Sequence, residues 1–240
     1  MSEKIKVTKF YSDLSKSYDK MRLGSLRDRM MSDLQVEWTL KNLPQGSFCL
    51  EIGCGTGRVT QNLVKKVESL VASDGSRDMI KLNRLKMGAE EKPKVDYVLC
   101  DASYLPFRSE CFSGVVGGRV FWHVPNYVTA FREVMRVLKV DNPVLFDFPS
   151  LYGPFSFYSS VLRTKHAVLT EYIGKKEIRK IFKDYKHTDI DGNASFLLFF
   201  ANDKILKNNL IRSIILWFEK FGFSSITGLF YAYYMVRVVK

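Results

Sequence analysis

Hydrophobic and polar positions in the middle of the chain follow two alternating periods. Short apolar runs, too short for helices, predict buried strands at residues 47–52, 69–73, 95–100, 112–117 and 143–148. Between these runs, apolar side chains recur at helical spacing over residues 56–67, 76–87 and 126–140. Strands that alternate with helices are typical of βαβ units. The pattern therefore predicts a parallel sheet with helices on both faces, whose ligands would lie beyond the carboxyl ends of the strands.

The segments on either side of this sheet have other patterns. Residues 8–41 predict a pair of helices, whereas residues 150–170 are irregular and aromatic. Farther along, the pattern predicts a helix at 174–185, an extended stretch at 186–200 with a turn at 191–193, and an amphipathic helix at 204–221. We expect this last helix to pack on the protein in preference to a membrane surface. A β-rich run at 232–239 predicts a closing strand, at an edge or antiparallel to its neighbour.

Composition narrows the class of protein. The 240 residues are 46% hydrophobic and 26% charged, which excludes a disordered chain, a coiled coil and a collagen-like repeat. No apolar run approaches the ~20 residues of a membrane span, and none follows the Lys-rich start as in a signal peptide. The four cysteines lack CxxC spacing. We therefore expect a cytoplasmic protein with reduced thiols and no transmembrane segment.

Positive charge is concentrated in the last part of the chain. The formal net charge is +12, and residues 151–240 contribute +7 of it together with 18 of the 33 aromatic residues. A basic face favours an anionic partner, which includes RNA, acidic lipid headgroups and an acidic small molecule. The same charge also fits a solvated surface that only aids solubility.

A glycine-rich turn joins the first predicted strand to the first helix. Gly53, Gly55 and Gly57 recur at alternate positions, so the backbone can turn tightly and approach a ligand closely. Arg58 stands where a dinucleotide-binding GxGxxG pattern has its third glycine, so the turn suits a nucleoside without a pyrophosphate better than NAD. Glu51 places a carboxylate at the strand end, where it could meet a cationic amino group. The alternative is a tight turn with no ligand.

Two more carboxylates end the next two predicted strands. Asp74 lies 21 residues beyond Gly53, where a carboxylate can accept hydrogen bonds from both hydroxyls of a ribose. Asp101 ends the third strand, where it could face the exocyclic amine of adenine. Each of these residues alone also fits a helix cap or a turn. Three carboxylates after three successive strands favour a nucleoside site.

The motifs together resemble those of class I S-adenosylmethionine-dependent methyltransferases, in the branch that includes quinone-biosynthesis C-methyltransferases. The resemblance is carried by the segments LEIGCGTG, VASDGSRDMI, CDASYLPF, VVGGRVFWHVPN and AFREVMRVLK. It implies an α/β, Rossmann-like fold with a seven-stranded, mostly parallel sheet, helices on both faces, an antiparallel last strand and a helical, aromatic cap. It also implies S-adenosylmethionine as cofactor, S-adenosylhomocysteine as product, and no metal.

The resemblance divides the chain into three parts. Residues 1–46 would form an N-terminal helical lid, residues 47–150 the cofactor-binding Rossmann-like core, and residues 151–240 a cap with the closing helix and strands. Its implied cofactor contacts are Glu51, Gly53, Cys54, Gly55 and Gly57 at the methionine part, Asp74, Gly75, Ser76 and Met79 at the ribose, Asp101 and Ala102 at the adenine, and Gly118 and Arg119 on the pocket floor. Tyr11 and Tyr18 match the family's aromatic lid segment.

Methyl transfer to some acceptors needs a general base. His123 follows the fourth strand near the expected methyl position and could take this role, or it could only anchor its loop. Tyr18 is a second catalytic candidate, although both Tyr11 and Tyr18 could line the acceptor pocket or simply pack.

The cap would supply the other acceptor contacts. Tyr152, Phe155 and Arg163 are the substrate candidates in this aromatic and basic segment. Such residues could stack on bases, bind a lipid or quinone precursor, or form an ordinary hydrophobic cap. The sequence thus predicts methyl transfer to an O, N or C atom of a small molecule. The alternatives are an RNA methyltransferase and a non-catalytic protein that binds S-adenosylmethionine.

Overall fold

The computed structural model describes residues 3–153, 156, 172–193, 198, 201–221 and 232–240. Within these residues, seven strands form one sheet in the spatial order β3-β2-β1-β4-β5-β7-β6. Their bounds are Phe48–Ile52 (β1), Ser69–Asp74 (β2), Val95–Leu99 (β3), Gly114–Gly117 (β4), Pro143–Pro149 (β5), His187–Asn193 (β6) and Tyr233–Val239 (β7). The first five strands are parallel, and β7 pairs antiparallel with both β5 and β6. This is the predicted α/β fold.

Helices precede and flank the sheet. They are Glu3–Leu23 (α1), Leu26–Asn42 (α2), Thr60–Leu63 (α3), Arg77–Lys86 (α4), Tyr127–Val137 (α5), Lys175–Ile181 (α6), Asp203–Leu206 (α7) and Asn209–Phe221 (α8). From β1 the chain crosses through α3 to β2 on one side, and from β4 it crosses through α5 to β5 on the other. The connections after β1 and β4 therefore diverge, and this opens a crevice at the carboxyl ends of these adjacent strands.

The sheet buries both of its faces. Along β5, Val144 and Phe146 pack into a core with the aromatic rings of Phe121 and Phe131, whereas Leu145 packs on the opposite face. Every residue of β5 is buried. Because successive side chains of a strand point to opposite faces, a fully buried strand fits only a sheet that is covered on both sides.

Several predicted elements differ from the observed ones. The helix predicted at 56–67 is regular only over the four residues of α3, and the helix predicted at 204–221 is divided into α7 and α8. The turn predicted at 191–193 is wrong, because these residues continue β6 by pairing with β7. Strand β7 is antiparallel as predicted, but it lies inside the sheet and not at its edge.

The apolar side chains of α8 are only partly buried against the rest of the protein. Ile215 is buried, whereas Leu210, Ile214 and Trp217 are exposed. Among the described helices, none combines the length and apolar character that a membrane crossing requires. Cys49 and Cys54 are buried, Cys100 and Cys111 are partly exposed, and all four are free thiols.

Candidate functional site

A cavity of about 360 Å³ opens at the carboxyl ends of β1 to β4, under α1. It brings together most of the residues that the sequence singled out. Those that line it are Tyr11, Tyr18, Gly53, Gly55, Asp74, Gly75, Ser76, Met79, Asp101, Ala102, Arg119 and His123. The divergence of the chain after β1 and β4 accounts for its position.

The glycine turn forms one wall of this cavity. Gly53 has a φ of +65°, and a Cβ there would lie 2.5 Å from Cγ2 of Val120. Gly55 has a φ of +51°, and a Cβ there would meet nothing within 4 Å. Both angles are in the left-handed region, which glycine adopts without strain. The turn therefore exposes bare backbone, and the space beside Gly55 can accept a ligand.

Asp74 connects the turn to the next strand. Its Oδ2 accepts a hydrogen bond from the backbone N–H of Gly55 at 2.8 Å, and its Oδ1 accepts one from Ser76 at 2.8 Å. Burial raises the pKa of the Asp74 carboxyl, and the backbone hydrogen bonds oppose this shift. Each carboxylate oxygen has further acceptor capacity. The group can therefore hold the turn and also accept bonds from two ligand hydroxyls.

The far end of the cavity is formed after β3. Asp101 Oδ1 accepts a hydrogen bond from the backbone N–H of Ser103 at 2.9 Å. Ala102 and Leu99 add apolar surface beside it, and Met79 packs below with 2% of its surface exposed. A flat, largely apolar slot with a carboxylate at its edge suits a purine base with an exocyclic amine.

Four of the predicted cofactor residues are not among those that line the cavity. Glu51 is buried and accepts a hydrogen bond from Thr60 Oγ1 at 2.7 Å. Burial raises the pKa of Glu51 to about 8. Cys54, Gly57 and Gly118 are also absent from the lining.

Aromatic side chains and His123 form a second wall of the cavity. The ring centroid of Tyr11 lies 5.5 Å from that of His123 and 6.1 Å from that of Tyr18. Trp122 Nε1 donates a hydrogen bond to His123 Nε2 at 2.5 Å, and His123 is only 8% exposed. An Nε2 that accepts this bond implies a neutral imidazole with its proton on Nδ1. Burial and the neighbouring Tyr18 raise the pKa of Tyr11, so its hydroxyl stays protonated.

Two arginines that sequence reasoning did not assign to the site lie beside this wall. Arg22, on α1, has its guanidinium 5.7 Å from the ring centroid of Tyr18. Arg58 follows the glycine turn, and its Nη2 would lie 3.2 Å from a Cβ at Gly118. The signal for Arg58 was its place directly after the glycine motif. Arg22 carried no signal, because only the folding of α1 over the sheet brings it here.

A buried carboxylate on β5 was also missed. Asp147 is fully buried and accepts hydrogen bonds from the Arg119 backbone N–H at 2.6 Å and from Gln35 Nε2. Burial raises the pKa of Asp147 to about 6, while Arg119 and Arg58 oppose the shift. A charged residue inside the apolar run PVLFDFP was the available signal.

Helix α1 forms the roof of the cavity through polar contacts. The hydroxyls of Ser12 and Ser76 share a hydrogen bond of 2.8 Å. Asp19 accepts a hydrogen bond from Thr56 Oγ1 at 2.5 Å and pairs with Lys86. Val7 and Thr8 of the same helix contribute to the cavity lining. The N-terminal helix thus encloses the space that the sheet leaves open.

The predicted cap residues do not add to this cavity in the described part of the chain. Tyr152 is 60% exposed and lies near Gly174, away from the lining residues. Phe155 and Arg163 lie outside the described residues. Their part in an acceptor pocket stays a prediction.

Comparison with known proteins identifies related sequences and folds. Residues 50–146 match the family described as methyltransferase domain. The chain is 28% identical over 200 residues to an uncharacterized protein, MJ1252, of Methanocaldococcus jannaschii, which covers 78% of this chain and 74% of that protein. It is 28% identical to a demethylmenaquinone methyltransferase of Staphylococcus aureus, over 76% of this chain and 85% of the relative.

A solved structure shares the whole architecture. It is an S-adenosylmethionine-dependent methyltransferase from Thermotoga maritima, with a TM-score of 0.70 and 15% identity. The match covers 96% of this chain and 98% of the other. At this identity the likeness establishes the fold, including the antiparallel end of the sheet.

Proposed function

Since the chain belongs to the class I S-adenosylmethionine-dependent methyltransferases, we propose that it methylates a small-molecule acceptor held in the cavity under α1. The observation that carries this proposal is the cavity of about 360 Å³, which is lined by α1 and by the glycine turn. A cavity of this size favours a small acceptor over a polymer, whose substrate nucleotide would need a longer groove.

The donor set of the cavity fits the cofactor. The bare backbone at Gly53 and Gly55 would take the methionine part, and Asp74 would accept hydrogen bonds from the ribose hydroxyls. Asp101 and Ala102 would flank the adenine. When bound, S-adenosylmethionine supplies a methyl group on a positively charged sulfur, which is already activated toward a nucleophile.

The chain's own residues would then position and enclose the reactants. In-line attack needs the nucleophile at ~3 Å from the methyl carbon, and holding it there can supply several kcal/mol of the barrier reduction. Tyr11 and Tyr18 also line the cavity, where they could contact an acceptor that meets the methyl group. Helix α1 would exclude water through its contacts with Ser76, Thr56 and Lys86.

His123 is proposed to position the aromatic wall and not to act as the base. Its Nε2 already accepts the hydrogen bond of Trp122, so taking a proton there would require that bond to break. Its ring instead packs edge-on against Tyr11. The protonated hydroxyl of Tyr11, whose pKa is raised by burial, could donate a hydrogen bond to the acceptor. Tyr18 would contribute to the same wall.

The other functions weighed from the sequence gain less support. None of the comparisons reported above favours RNA as the acceptor. One relative is named for a quinone substrate, demethylmenaquinone, which is a small molecule with an apolar body. The proposal therefore keeps a small-molecule acceptor.

The test is methyl transfer from S-adenosylmethionine with a labelled methyl group. Cell extract would be separated into a small-molecule fraction and a total RNA fraction, and each would be incubated with the protein. Label transferred to the small-molecule fraction supports the proposal. Transfer to RNA alone, lost on ribonuclease treatment, would replace it with the RNA alternative.

A further inference from the structure

Three arginines gather at one end of the cavity. Arg119 lines it, with its guanidinium 5.7 Å from the ring centroid of Tyr233. Arg22 lies behind Tyr11 and Tyr18, and its charge acts on Tyr233 from the other side. Arg58 is close enough to Arg119 that the neighbouring positive charge, after burial, lowers the pKa of Arg58 to about 10.

The protein places the buried acid Asp147 near Arg58 and Arg119, and its compensation of these cations is only partial. Within the described residues, none of the three guanidinium groups forms an ion pair with a carboxylate. The Nε atoms of Arg22 and Arg119 are buried and have no hydrogen-bond partner among these residues. Asp147, whose charge acts on Arg58 and Arg119, is bound to the Arg119 backbone and to Gln35. An unpaired buried charge is costly, so an anion that enters this end would be stabilised.

The backbone of Arg119 adopts an unusual conformation at this position in the cavity lining. Its φ of 59° lies in the left-handed region, which costs a non-glycine residue of order 1 kcal/mol or more. The hydrogen bond from its N–H to Asp147 Oδ1 holds this conformation. Arg119 therefore lines the cavity with a backbone conformation that a glycine would adopt without this cost.

The cofactor would not neutralise the cluster. S-adenosylmethionine carries one carboxylate, but it also carries an ammonium group and a sulfonium. With S-adenosylmethionine bound, the positive charges at this end would be the three arginines and the two cofactor cations. The negative charges would be the cofactor carboxylate and Asp147. The acceptor end of the cavity would keep an excess of positive charge.

On the basis of the proposed methyltransferase function, we infer that the methyl acceptor is a small organic acid whose carboxylate is bound by Arg119. The planar guanidinium matches a carboxylate in bidentate geometry. Tyr11, Tyr18 and His123 give the rest of the acceptor an apolar, aromatic wall. Arg22 would strengthen the local positive field from behind that wall.

The experiment uses matched acid and amide probes. The protein is first titrated with S-adenosylhomocysteine, which fills the donor half and brings its own carboxylate. The saturated complex is then titrated with benzoate and phenylacetate and with their neutral amides, by calorimetry. We expect each acid to bind at least about tenfold more tightly than its amide, with the preference weakening as salt is added.

Two variants and one control assign the preference to Arg119. Arg119→Gln, titrated in its S-adenosylhomocysteine-saturated complex, should abolish the preference for acid over amide. Arg119→Lys, which keeps the charge but not the bidentate fork, should retain part of the preference. Arg212→Gln removes an equal charge from α8, which contributes no cavity residue, and should behave as wild type.

The outcomes separate the two proposals. If S-adenosylhomocysteine does not bind, the proposed function fails, and the acid acceptor falls with it. If S-adenosylhomocysteine binds but acids and amides bind alike, the acceptor inference alone is wrong. A loss of S-adenosylhomocysteine affinity in Arg119→Gln, with the acid preference intact, would assign Arg119 to the cofactor carboxylate and also overturn the inference.

Discussion

Asp74 is bound through both carboxylate oxygens to backbone N–H groups on two different loops. A neutral amide at this position would have to turn its NH₂ group toward one of those N–H donors. Asp74 therefore holds the shape of the glycine turn and also places a negative charge beside it. Its effect on ligand binding should exceed that of other acids at the same end of the sheet.

Replacing Asp74 tests this role directly. Asp74→Asn should weaken S-adenosylhomocysteine binding by about 1.5–3 kcal/mol, the usual value of a hydrogen bond to a charged group. Calorimetry measures the change. Asp78→Asn, in the first turn of α4 and about half exposed, is the matched control and should bind as wild type does. Equal affinities for all three proteins would remove Asp74 from the site.

Glu51 links the site to the pH dependence of stability. Its carboxyl pKa is raised to about 8 by burial, so the folded state holds this proton more tightly than the unfolded state does. More protons are then bound in the folded state between about pH 5 and about pH 8, and stability falls as pH rises through that range. For one group the slope is at most about 1.4 kcal/mol per pH unit.

Glu51→Gln should remove the contribution of Glu51 to the pH dependence of stability. The variant keeps an acceptor oxygen for Thr60 but cannot ionise. Urea unfolding from pH 5 to pH 9 should show a smaller decline in stability than in wild type. The exposed Glu68→Gln is the control and should retain the decline. An unchanged pH profile in Glu51→Gln would mean that Glu51 is charged in the folded state.

At the scale of elements, α1 is the part that closes the site. It contacts the sheet side of the cavity through Ser12 and Asp19, whose partners lie 37 to 67 positions away in sequence. We expect these contacts to slow the release of a ligand held beneath α1. Ligand release should therefore depend on the strength of the contacts made by Asp19.

Asp19→Ala should open this roof. The loss of one hydrogen bond and one partly exposed ion pair amounts to about 1 kcal/mol, or roughly a fivefold faster release of S-adenosylhomocysteine. Stopped-flow displacement measures the rate. Asp13→Ala, at an exposed position of the same helix, should leave the rate unchanged. Release at the wild-type rate from Asp19→Ala would show that α1 does not gate the cavity.

Local patterns sufficed for the parts of the site that are built from consecutive residues. The glycine turn, Asp74 and Asp101 each follow a buried strand directly, and a strand end with its turn is readable in a short window. Arg22 and Asp19 reach the site through contacts between distant segments, which periodicity does not encode. The turn predicted at 191–193 had suitable residues, but pairing with β7 outweighed their local preference.

At the scale of the whole molecule, β7 connects two parts of the sheet. Val236 is fully buried and pairs with Phe146 on β5 and with Ile190 on β6. Val236→Ala should lower the free energy of unfolding by about 2 kcal/mol through lost burial and a cavity. Urea unfolding would measure this, with the exposed Val140→Ala as a control that changes it by less than about 0.5 kcal/mol. Equal losses would place β7 outside the cooperative core.

The position of β7 also sets an order of events during translation. Every described residue that lines the cavity lies between Val7 and Pro125, whereas β7 is made more than a hundred residues later. Strand β6 leaves the ribosome before the strand that joins it to the sheet. A nascent chain could thus assemble the nucleoside half of its site while the edge of β5 is still unpaired. It could then bind cofactor from the cell at this stage. Bound cofactor would then stabilise the growing chain until β7 arrives to cover that edge.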